Sequence, residues 1–168
     1  MIAILKSFLS IMIFRQGPES IPFSPFLATV SITVNILISV TTNAILLTQD
    51  SFTVTVIRTL LILSINTFLI WLLLILRNHS NRFFQTITAF MGCDALITAG
   101  TLLLLSMLGG VESSIGGIIT SLLALWSIFI YGFIFYKSFE IRLSLGVISA
   151  FILIMFSYRV SQFLIEGL

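Results

Sequence analysis

Five stretches of this chain, about 27–48, 53–76, 83–107, 115–136 and 143–165, are each long and apolar enough to cross a bilayer. A spanning helix needs roughly 20 mainly apolar residues. The breaks between them are short: "TQD" with Ser51, "RNHSNR", "GGVESS" and "KSFEIR". Connections this short force neighbouring helices to run antiparallel and to touch. They leave no room for a soluble domain between spans. The charge content agrees: 58% of the 168 residues are hydrophobic and only 8% charged, where a soluble domain carries about 25%. The bilayer must be the solvent for most of the chain.

The expected fold is therefore an all-α integral membrane protein. It has five transmembrane helices and a short N-terminal interfacial amphipathic helix. Residues 1–26 form a cytoplasmic arm containing that helix and a proline-rich break; residues 27–168 form the five-helix domain. In the arm, "MIAILKSFLSIMIF" is too short to span, and Lys6, Ser7 and Ser10 make a narrow polar stripe at helical spacing. The charge lies too late for a signal peptide, and "IFRQGPES" has no small-x-small cleavage site. Pro18, Pro22 and Pro25 then break the helix, with Pro25 suited to the first turn of the first span.

Basic residues set the orientation. Lys6, Arg15, Arg77, Arg82, Lys137 and Arg142, six of the eight, fall on one side of the five-span layout. The first and third breaks carry only Asp50 and Glu112. The N-terminus is expected in the cytoplasm and the C-terminus outside. Tyr136 and Tyr158 lie near span ends, as interfacial anchors do. The net charge of +2 is too small and too dispersed to suggest nucleic acid as a partner.

The residue most out of place is Asp94, in "FMGCDALITAG". It lies 12 residues beyond Arg82, or roughly 18 Å into a ~30 Å core. An ionised Asp there costs ~2.5–3.5 kcal/mol even on a lenient scale. Arg58, in the neighbouring span and at similar depth, is the first expected ion-pair partner. Arg159 is the alternative, or it snorkels outward; a protonated Asp94 is a third solution. Thr98 and Thr101 extend the polar stripe, so the expected intramembrane cluster is Asp94, Arg58, Arg159, Thr98 and Thr101.

Small residues let helix backbones approach closely in lipid. Gly92, Ala95 and Ala99 with Thr88 form such a strip on the third span. Gly116 and Thr120 with Ala124 do so on the fourth, and Gly146 and Ala150 on the fifth. Asn35, Asn43 and Asn66 can add interhelical hydrogen bonds. No Walker loop, paired histidines or G-x-S-x-G elbow is present. His79 reads as a solvated loop residue. The single cysteine, Cys93, reads as a packing residue and excludes an internal disulfide or cysteine-based metal cluster. No catalytic residue, metal ligand or cofactor is expected.

Two segments carry a family resemblance. "NRFFQTITAFMGCDAL", with its R-x-x-Q-T pattern at Arg82, Gln85 and Thr86, and "LWSIFIYGFIFYKSFEI" resemble the third span, fourth span and following loop of small bacterial Yip (Ypt-interacting protein) membrane proteins. The "GP" at Gly17–Pro18, shortly before the first span, is similar to the end of a D-L-Y-G-P element in eukaryotic members. Gly92 matches the first residue of a Gly-Tyr pair, with Cys93 in place of the tyrosine. The resemblance implies a bacterial inner-membrane protein. It does not carry over the binding of prenylated small GTPases, since most of the associated element is missing. The expected function is non-enzymatic: a scaffold or accessory component of a membrane assembly, or a membrane organiser. Membrane lipids and a protein partner or second copy are the expected partners. The alternative is a small oligomeric transporter or channel-like protein with a polar site around Asp94.

Overall fold

A computed structural model describes residues 2–46, 51–108, 110 and 113–166. Every regular element among the described residues is a helix. The order is α1 (Ile2–Met12), α2 (Pro25–Leu46), α3 (Phe52–Leu76), α4 (Phe83–Met107), α5 (Ser114–Phe139) and α6 (Leu143–Glu166), with single 3-10 turns at Pro18–Ser20 and Ser80–Arg82. The last five are long and apolar enough to cross a membrane. Asp50 and Glu112, which the charge asymmetry invoked, lie outside the described residues.

Local chemistry explains the helix ends. Pro25 opens α2, and the hydroxyl of Ser24 accepts from the Leu27 amide at 3.2 Å. Ser51 caps α3 through the Val54 amide at 3.3 Å, and Ser113 caps α5 through that of Gly116 at 3.0 Å. Such caps satisfy amides that a helix start leaves without partners. Three non-glycine residues with positive φ, Phe14, Asn78 and Glu140, follow the ends of α1, α3 and α5. The left-handed turn lets amides beyond each end reach back. His79 donates to the Leu74 carbonyl at 2.8 Å, and Ile141 to that of Tyr136 at 3.3 Å.

α5 runs three residues past its expected end and takes in Lys137. A lysine suits the last turn of a helix, where it meets the negative end of the dipole and its stem covers apolar surface. Its ammonium lies 5.3 Å from the Tyr136 ring centre.

α4 is the central helix. Half of its apolar window is buried, against 17–28% for the other spans. It pairs most closely with α2, while α5 pairs most closely with α6. Lipid tails supply no hydrophobic drive between helices, so close packing must supply the attraction. At α5–α6 the backbones nearly touch. A Cβ on Gly146 would clash with the Gly132 carbonyl oxygen, and one on Gly132 would lie 2.6 Å from the Val147 Cα. Ala150, one turn beyond Gly146, is fully buried. Phe90 on α4 stacks on Phe135 of α5, and Phe135 on Phe139, filling the interface towards the basic end.

The arm is part of this bundle. Phe8, Ile11 and Met12, at i, i+3 and i+4, form the buried face of α1, while Lys6 is exposed. The Phe8 ring lies on Gly92, where any Cβ would clash with it. Gly92 is ten residues past Arg82, so this contact is roughly 15 Å along α4. Phe14 meets Phe133 of α5 edge to face at 5.4 Å, and Gln85 donates to the Ile21 carbonyl at 2.9 Å.

Candidate functional site

Asp94 lies where α2, α4 and α5 meet. Its Oδ2 accepts from Asn35 Nδ2 of α2 at 2.7 Å, and its Oδ1 accepts from the Tyr131 hydroxyl of α5. Asn35 also donates to the Met91 carbonyl at 3.2 Å, so both amide hydrogens are used on α4. Tyr131 is held by its ring, 4.6 Å from that of Phe90. A carboxylate in hydrocarbon needs donors from within the bundle; here neutral donors from two other helices supply them.

On the far side, Asn66 of α3 accepts from the Ser157 hydroxyl of α6. Each spanning helix therefore places one polar side chain in a common layer: Asn35, Asn66, Asp94, Tyr131 and Ser157. Between α2, α3 and α4 this layer borders a half-open cavity of about 120 Å³. Its polar wall is Asn35, Ser39, Asn43, Thr59, Asn66 and Asp94; Phe90, Met91, Ile62 and Leu63 complete it. Asn35, Ser39 and Asn43 recur every four residues, one stripe of α2.

The expected cluster is rearranged. The contacts between titratable side chains of opposite type among the described residues are Arg82–Glu140 at 2.7 Å and the His79 ring 3.6 Å from the same Glu140 carboxylate. Neither an Arg58–Asp94 nor an Arg159–Asp94 bridge is among them. Arg58 is half-buried on α3 and is itself engaged. Arg159 is exposed on α6. Thr101 turns its hydroxyl onto the Ile97 carbonyl at 2.8 Å, and neither it nor half-buried Thr98 lines the cavity. Opposite charge at similar depth points to the arginines, whereas the contacts come from Asn35 and Tyr131. A carboxylate is equally served by amide and phenol donors.

The small residues divide by use. Gly92 receives Phe8, Ala95 is buried, Ala99 is half-buried, and Gly146 with Ala150 faces α5. Gly116 serves the turn before α5: a Cβ there would clash with the Gly110 carbonyl oxygen. Thr120 bonds to the Gly116 carbonyl at 2.8 Å, and Ala124 is exposed.

Sequence reasoning missed Tyr131 and Ser157. The available signal is a tyrosine eight residues inside the end of α5, deeper than the interfacial positions of Tyr136 and Tyr158. The stripe Asn35–Ser39–Asn43 was also readable from its spacing.

Compared with protein-family models, curated proteins and solved structures, the chain shows no match. The R-x-x-Q-T residues behind the Yip resemblance nevertheless have visible work at the basic end. Arg82 pairs with Glu140 and reaches the Lys137 carbonyl at 3.4 Å; Gln85 holds the arm; Thr86 bonds to Ser138 of α5 at 2.9 Å. Cys93 is buried with its thiol 3.8 Å from the Phe8 carbonyl. Among the described residues, no three His, Cys, Asp or Glu side chains converge as a metal site.

Proposed function

We propose that this chain is a non-enzymatic scaffold or accessory component of a membrane assembly, of the small bacterial Yip type. Its membrane is the bacterial inner membrane, with the basic end and N-terminus cytoplasmic and the C-terminus outside. The observation that carries the reading is the holding of Asp94 by Asn35 and Tyr131. The charge is spent inside, pinning three helices in register. The outer faces are left apolar for lipid and for partner helices: Phe26 and Leu37 on α2, Phe68 on α3, Leu122 on α5 and Phe163 on α6 are all exposed. Purification in a mild detergent tests it. A stoichiometric partner, or a defined homo-oligomer, is expected; a monodisperse monomer without partner under every mild condition overturns it.

The cavity beside Asp94 favours a second reading, a small oligomeric transporter or channel-like protein. In proteoliposomes, Asp94→Asn would then abolish ion flux while the protein stays folded. Absence of flux in the parent protein counts against this reading alone.

A further inference from the structure

We propose that the cavity between α2, α3 and α4 binds one monovalent cation, sodium being the ion to test, with Asp94 as its charged ligand. The proposal deepens the second reading and rests on the same cavity, but on binding rather than on flux.

Size excludes most alternatives. Pockets for organic ligands run to about 300–1,000 Å³, and this one is about 120 Å³. A water needs roughly 10–15 Å³ of such space, so an ion with part of its hydration shell fits.

The donor set selects the sign. Both amide hydrogens of Asn35 are committed to Asp94 and Met91, so its carbonyl oxygen is what remains for the cavity. The Thr59 hydroxyl donates to the Thr55 carbonyl at 2.9 Å, which leaves its oxygen as an acceptor. Asp94 has accepted two hydrogen bonds of about four it can take. Ser39 and Asn43 add a hydroxyl and a second amide on the α2 stripe, while Asn66, its oxygen taken by Ser157, has its amide nitrogen left. Oxygen ligands of this kind suit hard cations.

Charge fixes the valence. Asp94 is the one acidic side chain among the lining residues, and none of them is basic. One positive charge makes the site neutral. Two would leave a net charge in hydrocarbon, which is costly.

The test is thermal unfolding of the detergent-purified full chain in sodium, potassium and choline chloride at equal ionic strength, with sodium titrated. A saturable rise in Tm with sodium over choline is expected. Asp94→Asn should abolish the rise. Because that change also disturbs the Asn35 and Tyr131 bonds, Asn43→Ala is the second variant. Measured against its own Tm in choline, it should need on the order of tenfold more sodium for the same rise. Equal Tm values in all three salts overturn the proposal, as does a sodium effect that survives both substitutions. A sodium-dependent Tm without flux in liposomes supports the site and removes the transporter reading, so the two fail separately.

Discussion

Asn35 of α2 and Asp94 of α4, 59 residues apart, meet at 2.7 Å in the middle of the bundle. The same asparagine holds the Met91 carbonyl one turn earlier, so a single side chain sets the register of the α2–α4 pair. Tyr131 closes the other side from α5. Asp94 is thus the junction of three helices, and its neighbours determine what a substitution there costs.

Tyr131→Phe isolates one of these bonds. The ring keeps its place against Phe90, and only the hydroxyl is lost. The expected loss is ~0.6–2 kcal/mol, measured by unfolding in mixed detergent micelles. A neutral result would mean that the Tyr131 hydroxyl does not serve Asp94.

Gly146→Ala sets a methyl against the Gly132 carbonyl oxygen, a backbone atom that cannot swing away. Overpacking of this kind costs ~1–3 kcal/mol. Gly100→Ala on α4 is the control, since a Cβ there meets nothing within 4 Å. It should be neutral or stabilising by up to about 1 kcal/mol. Equal behaviour of the two variants in the same assay would contradict the α5–α6 contact.

Gly92→Ala acts on the arm. The methyl displaces the Phe8 ring and loosens α1 from α4. Limited trypsin digestion should then cut faster at Lys6 or Arg15, while the spans stay protected. Adding Phe8→Ala should remove most of the effect of the glycine substitution on stability. If digestion at the arm is unchanged in Gly92→Ala, α1 does not dock there.

Glu140 sits at φ 52° with its carboxylate on Arg82. Glu140→Ala loses the bridge and keeps the left-handed backbone. Glu140→Gly loses the same bridge and relieves the backbone. The glycine variant should be the more stable by about 1–2 kcal/mol. The bridge itself, between partly exposed groups, contributes no more than about 1 kcal/mol. A glycine variant less stable than the alanine variant would contradict the turn geometry.

The spans were legible because a 20-residue apolar run has few alternatives to a helix across lipid. α3 and α4 keep the expected limits of 53–76 and 83–107 to within a residue. The end of α5 was not, because a lysine reads as loop although its stem belongs on the helix. Interior contacts were harder still. Helices that are apolar all round have no face that announces its neighbour, so the depth of Asp94 could be counted while its direction could not. Charge pointed to Arg58; the layer was built from Asn35 and Tyr131. The close approach at Gly146 came from a strip of small residues, but its partner, Gly132, was not singled out. Nothing in residues 1–14 indicated that Phe8 would lie on Gly92, a contact that depends on two segments 84 residues apart in number.

The most direct measurement of the central relationship is a double-mutant cycle with Asn35→Ala and Asp94→Ala, read by reversible unfolding in mixed micelles. If the two side chains hold each other, the single losses will not add, and the coupling will be ~0.6–2 kcal/mol. Strict additivity would contradict it: Asp94 would then be held by something other than α2, and the polar layer would lose its junction.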